Sequence, residues 1–248
     1  MYHYKVKKRR GANKGVIILI ISLFVLAGLT YALFLSPIFK IKEVVVLGNQ
    51  KISQEEIKNN LNCDNILLTT NKNVKSRLLK RIPEILDLKI SKNLFKRKLE
   101  INIQERETIG ILCKQDTSDC FYFDKNGIVF ENAPNTNGSL IIPIKDYSQR
   151  DLKLGEAAVD LSIIDTITII KEELFQKIGI GVSSFDIESY PTEKLRVITG
   201  ESWYILFSLK RDIKSQLSAL KVALDEKISN RMGLQYVDLR IENRIYYK

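Results

Sequence analysis

Residues 16–35 read VIILIISLFVLAGLTYALFL, twenty positions without a charge, inside an uncharged run from residue 15 to residue 39. Twenty helical residues rise about 30 Å, the hydrocarbon thickness of a bilayer. Lipid offers no partner to an exposed backbone N–H or C=O, so a segment placed there has to satisfy its own by forming a helix. Ser22, Gly28 and Thr30 are small or self-bonding residues that such a helix tolerates. A transmembrane helix is expected over residues 16–36, and every other segment is then read from the side of the membrane it occupies.

The flanks orient it. Lys5, Lys7, Lys8, Arg9, Arg10 and Lys14 precede it with no acidic residue, whereas Lys40, Lys42 and Lys51 follow it interleaved with Glu43. Dense Lys/Arg stays in the cytoplasm, so residues 1–15 are expected inside and residues 40–248 outside. The alternatives are a cleaved signal peptide and the buried helix of a soluble protein. Signal h-regions are shorter and end in an A-x-A-like site, which Phe34-Leu35-Ser36 does not supply, with Pro37 just past it. The formal net charge of +10 belongs mostly to this topology signal. Six of the 39 basic residues and none of the 29 acidic ones lie in residues 1–15, which leaves +4 on the remainder. Nucleic acid is discounted as a partner, while the tail itself suits anionic lipid headgroups.

Outside the membrane, about 210 residues suffice for one large or two small domains with cores of their own. Residues 41–47 (IKEVVVL) predict a β-branched strand ended by Gly48-Asn49. Ser53-Gln54-Glu55-Glu56 has the form of a capping box opening a helix that buries Ile57 and Leu61. Val74, Leu78 and Ile82 lie on one stripe of a second helix, which Pro83 stops. Leu86, Leu88 and Ile90, then Leu99, Ile101 and Ile103, alternate with polar residues as two half-buried strands. The basic stretch between them, SKNLFKRK, reads as a solvated turn, with contact to anionic headgroups or another protein as the sharper alternative. Residues 40–106 thus run strand–helix–helix–strand–strand.

The rest, 107–248, is less regular. Residues 109–112, 121–123, 128–130 and 140–142 predict short strands, with Asp124-Lys125-Asn126-Gly127 as a hairpin turn, APNTNGS (133–139) as a loop and Pro143 as a strand end. Ile163, Ile167, Ile170, Leu174 and Ile178 predict an amphipathic helix over 160–179. Ile213, Leu217, Leu220, Leu224 and Ile228 predict another from Asp212, capped by Gly233. Strands are expected at 180–187, 195–199, 203–207, 237–240 and 245–247. The fold class is therefore α+β: a membrane helix, a small α/β domain, then a larger mixed β-sheet domain with two packed helices. There is no internal repeat and no run of ten-residue barrel strands, and a transport or assembly factor of tandem small domains is not supported.

Three cysteines occur. Cys113 and Cys120 bracket KQDTSD between two apolar runs and can face each other across a hairpin, as a disulfide or as two ordinary thiols. Cys63 is left over and expected to be buried. The only histidine is His3 in the tail, so a metal site outside is not expected. The exterior has no G-x-S-x-G and no H-E-x-x-H. Asp186 and Glu188 share a strand face, where they are expected to be solvated. No enzyme, cofactor or small-molecule substrate follows from this; a hydrolase and a generic membrane-anchored sensor or wall-binding protein are the other classes.

Several phrases carry a resemblance. Val44-Val45-Val46-Leu47-Gly48-Asn49 with Ser53 and Glu56, Ile82-Pro83 with the strand after it, Ile101-Asn102-Ile103-Gln104-Glu105-Arg106-Glu107, Phe123-Asp124-Lys125-Asn126-Gly127-Ile128-Val129-Phe130 and Tyr236-Val237-Asp238-Leu239-Arg240 follow one another in order. Together they resemble the FtsQ/DivIB family of bacterial cell-division proteins, with 40–106 as a POTRA-like domain and 107–248 as the FtsQ-type β domain. Lys96 and Thr108 stand where the family often has proline. The resemblance implies a non-enzymatic scaffold in the cytoplasmic membrane at the division septum. It would hold small bitopic coiled-coil proteins of the FtsB/FtsL type and so help control septal peptidoglycan synthesis. The partner-binding edge it implies is the strand after DLR, here Ile241, Glu242, Asn243, Arg244, Ile245, Tyr246 and Tyr247, whose free backbone groups and tyrosines suit strand addition.

Overall fold

The computed structural model describes residues 14–34, 36–117, 119–135, 141, 143–228 and 230–248. The basic tail before Lys14 lies outside the described residues, as does most of the stretch expected as a loop and strand over 133–142. Helix α1 (Lys14–Phe34) is apolar from Gly15 onward and exposed over residues 15–31, as a span facing lipid must be. The run Gly15–Phe39 is long and apolar enough to cross a membrane, with a mean hydropathy of 2.7. Ser36 then accepts from the Ile38 N–H and opens a 3₁₀ turn at Pro37–Phe39.

Two compact units follow from the packing: residues up to Leu78 together with Asp87–Gln104, and Leu79–Leu86 together with Glu105–Lys248. The division differs from a single cut after residue 106. The short segment 79–86 joins the second unit because the Arg106 N–H donates to the Glu84 carbonyl and its Nε to the Pro83 carbonyl, both at 2.8 Å.

In the membrane-proximal region, β1 (Glu43–Leu47), α2 (Gln54–Leu61), α3 (Asn71–Arg81), β2 (Ile85–Asn93) and β3 (Lys98–Glu105) form a three-stranded sheet of order β1-β3-β2 with two helices. Strand β1 runs parallel to β3, Val44 opposite Leu99 and Val46 opposite Ile101. Ser53 caps α2 by accepting from the Glu56 N–H at 3.1 Å, as the capping pattern requires. Gly48 has φ +80°, and a Cβ there would meet the Ile103 carbonyl oxygen at 2.3 Å, so the turn after β1 needs glycine. Strand β3 buries Leu99, Ile101 and Ile103 in strict alternation; β2 does not, because Ile85 and Leu88 are its buried residues and Leu86 is only half-buried. Cys63 is also half-buried rather than buried; burial pushes its thiol pKa up, partly offset by a hydrogen bond with Thr69.

The second region is a nine-stranded sheet with helices on one face. Its strands are β4 (Gly110–Lys114), β5 (Cys120–Phe123), β6 (Val129–Ala133), β7 (Pro143–Asp146), β8 (Val182–Ile187), β9 (Lys194–Thr199), β10 (Tyr204–Ser208), β11 (Tyr236–Asp238) and β12 (Tyr246–Tyr247). Their spatial order is β12-β11-β10-β9-β8-β7-β4-β5-β6. Proline 143 begins β7 instead of ending a strand, a place where its missing N–H costs no ladder bond. Helix α4 (Leu161–Glu173) continues as a π turn over Leu174–Ile178, and α5 (Ile213–Glu226) packs beside it. The core joins Leu112, Phe185, Trp203, Ile205, Phe207 and Val237 of the sheet to Ile163, Ile170, Leu174, Leu217, Leu220 and Leu224 of the helices. Each such side chain contributes about 1.5–3 kcal/mol on burial. Gly233 does not cap α5, which ends at Glu226 with Lys227 as its cap. Ile228 is buried just past that end, so the apolar stripe outlasts the helix.

Candidate interaction site

The strand pair β4–β5 sets Cys113 opposite Cys120, and their Sγ atoms are bonded. This staple sits at one end of the sheet. The opposite end holds a groove of about 900 Å³ between α5 and the chain that follows β11.

Three contacts position α5 there. Asp212 accepts from the Ser215 N–H at 2.7 Å, which caps the first turn. That hydrogen bond also holds the Asp212 carboxyl below the usual carboxylate range. The buried Gln216 amide exchanges hydrogen bonds with both the N–H and the carbonyl of Ser208 at the end of β10, at 3.0 and 2.9 Å. Leu217, Leu220 and Leu224 then face the core, while Ser215, Ala219, Val222 and Glu226 form a second stripe along the groove. Val222 is 54 % exposed.

The other wall hangs from the D-L-R sequence. Asp238 accepts from both Nε and Nη2 of Arg240, at 2.9 and 2.6 Å, and from the Arg240 N–H at 3.0 Å. Burial pushes the Asp238 carboxyl pKa up, but these Arg240 donors outweigh it and leave it below the ordinary range. Between them the Leu239 N–H donates to the Leu206 carbonyl at 3.0 Å, and Arg211 Nη1 donates to the Leu239 carbonyl at 2.7 Å.

The seven residues that the resemblance implies as the partner-binding edge divide into two parts. Ile241, Glu242, Asn243 and Arg244 are exposed and form a turn, with Asn243 at φ 57°, and Ile245 is half-buried. Only Tyr246 and Tyr247 are strand, antiparallel to β11. The strand is short because the turn needs a left-handed residue and Ile245 dips toward the core. Lys248 exchanges backbone hydrogen bonds with Tyr236, so the N–H and C=O of Tyr247, one residue away, point off the sheet edge. The Tyr247 side chain lies on the groove side, opposite Val237, and Tyr246 on the other face, opposite Asp238. On that outer face Tyr204 and Tyr236 stack at 5.6 Å.

The site therefore has two modes of contact side by side: a helix-lined trough with an apolar patch of Ala219, Val222 and Ile241, and an open strand edge. The stripe on α5 was hidden in sequence because the core stripe is stronger. Its signal is Ala219 and Val222 standing where an outward face is ordinarily charged. Asp186 departs from expectation too. It is buried beside Ser184, not solvated; burial pushes its pKa up, against the Ser184 hydroxyl and the Lys145 and Arg196 charges, while Glu188 is exposed and pairs with Arg196. Among the described residues no group of His, Cys, Asp and Glu could hold a metal ion.

Residues 39–106 match the family model of the POTRA domain, FtsQ-type. The chain is similar to Cell division protein DivIB of Clostridium botulinum (strain Hall), 29 % identical over 157 residues that make up 62 % of this chain and 59 % of that relative. It is 23 % identical to Cell division protein DivIB of Clostridium acetobutylicum over 215 residues, 85 % of this chain and 83 % of that relative. A third, from Clostridium tetani, is 28 % identical over 54 % of this chain and 51 % of that relative. The chain thus spans about three-fifths of the length of the Clostridium botulinum relative.

Proposed function

We propose that the chain is an FtsQ/DivIB-type cell-division protein, as its POTRA match and its DivIB relatives support, and that it is a non-enzymatic bitopic scaffold of the divisome. Its basic tail lies in the cytoplasm, α1 crosses the cytoplasmic membrane, and a POTRA domain over 40–106 and a β domain over 107–248 stand outside at the septum. Its partners are small bitopic coiled-coil proteins of the FtsB/FtsL type, and by holding them it helps control septal peptidoglycan synthesis.

The observation that carries this reading is the groove of about 900 Å³ that opens beside an unpaired strand edge. A coiled-coil protein with a short extended tail fits both: its helix lays an apolar face against Val222 and Ile241, and its tail adds to β12. The polar rim of Arg211, Glu226 and Arg244 supplies register more than affinity.

The test uses the full chain and its FtsB/FtsL-type partner, co-purified in detergent. Val222→Glu puts a charge on the apolar wall. Tyr247→Pro removes one outward N–H without touching the β11 bonds. Each is expected to weaken binding at least about tenfold, 1.4 kcal/mol or more, with the melting temperature of the exterior unchanged. Parental affinity in both folded variants would end the groove-and-edge reading.

A further inference from the structure

The turn between β2 and β3 is not used by the groove, yet it is the most exposed apolar point among the described residues. Phe95 is 101 % exposed and Leu94 51 %. An aromatic side chain held wholly in water at a hairpin tip gains nothing for folding. Its neighbours are cationic: Lys96 is exposed, and Arg97 and Lys98 follow.

The tip is fastened to the outer end of α1. Arg97 Nη1 donates to the Pro37 carbonyl at 3.1 Å and lies 3.4 Å from that of Ile38. The Lys42 N–H donates to the Arg97 carbonyl at 2.9 Å. Arg97 takes a left-handed φ of 52° to make these contacts. The turn that carries Leu67 and Leu68 joins the same end, because the Ile66 N–H donates to the Phe39 carbonyl at 2.9 Å and Lys92 Nζ bonds the Thr69 carbonyl. Ile38, Leu67, Leu68, Leu94 and Phe95, all exposed, are thereby gathered within a few residues of where the apolar run of α1 ends.

We infer that the β2–β3 tip is a second membrane contact: Leu94 and Phe95 enter the interface of the leaflet from which α1 emerges, and Lys96 and Lys98 meet its anionic headgroups. Apolar side chains with a basic rim are the chemistry of interfacial anchoring. The bond from Arg97 to Pro37 ties the tip to the end of the apolar run, at the level of the headgroups. The contact would fix the membrane-proximal domain against the bilayer instead of leaving it on a swivel after Phe39. This rests on α1 spanning the membrane.

The experiment reconstitutes the full chain in phosphatidylglycerol vesicles whose acyl chains are brominated near the headgroup or, separately, near the bilayer centre. Tryptophan fluorescence is read from the parent, Phe95→Trp and Phe24→Trp. Trp203 is fully buried in the second region and supplies a constant background. The signal added by F95W is expected to fall by about half or more with shallow bromine and that of F24W with deep bromine. Shallow quenching of F95W is expected to drop at least about twofold in phosphatidylcholine vesicles, where the headgroup charge is lost. Quenching of F24W without quenching of F95W overturns the second contact and leaves the span intact. Absence of both overturns the span and the contact with it. Equal F95W quenching in the two lipids removes the role given to the lysines.

Discussion

Two aspartates on the nine-stranded sheet have opposite fates, decided by a few ångströms of donor geometry. Asp238 has an arginine fork and a backbone N–H to itself, so its carboxyl pKa is lowered despite burial. It contributes stability above the ordinary carboxylate range, lost as the pH falls through its lowered value. Asp186 has a single serine hydroxyl at 3.2 Å and its pKa is raised by burial, with Lys145 and Arg196 offsetting only part of this. For an acid raised in the folded state the sign reverses: the folded protein holds the proton more tightly, and stability falls as the pH rises through the raised value. Asp186→Asn is therefore expected to stabilise the protein at pH 7 by about 1 kcal/mol, an advantage that vanishes below about pH 4. Melting temperatures of both proteins across that range check this; a constant difference at every pH contradicts it.

At the scale of elements, Arg106 explains why phrases far apart in sequence travel together. Its Nε bonds the Pro83 carbonyl after α3, and its Nη1 pairs with Asp124 in the turn between β5 and β6. Asp124, 2 % exposed, also accepts from the N–H groups of Asn126 and Ile128 at 2.9 and 3.0 Å. The turn then presses on the loop before α4: the Gly127 carbonyl accepts from Ala158 and Val159, and a Cβ at Gly127 would meet the Val159 carbonyl oxygen at 1.8 Å. One ion pair thus joins a helix exit, a strand exit and a hairpin. Asp124→Ala leaves the guanidinium buried without its carboxylate and is expected to cost about 3–5 kcal/mol, read by urea unfolding; a loss under about 1 kcal/mol would mean that Arg106 finds another partner.

For the whole molecule, the expectation that organises the rest is sidedness. With a cationic segment before α1 and a mixed one after it, residues 40–248 are expected outside. Alkaline phosphatase fused after Lys248 should be active and a fluorescent protein that matures only in the cytosol should be dark. The reverse pair of results would place the groove in the cytoplasm and end the scaffold reading.

The order of elements in the small domain was legible because each signal there is local: the Ser53 cap, the stripe of Val74 and Leu78, the alternation from Leu99 to Ile103. The span was legible for the same reason, since twenty uncharged residues need no partner to be recognised. Residues 241–247 were singled out by the family resemblance, with two tyrosines after D-L-R that suit an interface. Tertiary structure alone decided that Ile245 packs toward the core and leaves Tyr246 and Tyr247 as strand, that α5 supplies the facing wall, and that Asp186 is buried. It also turned a basic hairpin back to the end of α1. Those facts depend on which distant segments pack together. Hydrophobic period and capping chemistry act within a turn or two of helix, whereas a groove is made by what two separate elements leave uncovered between them.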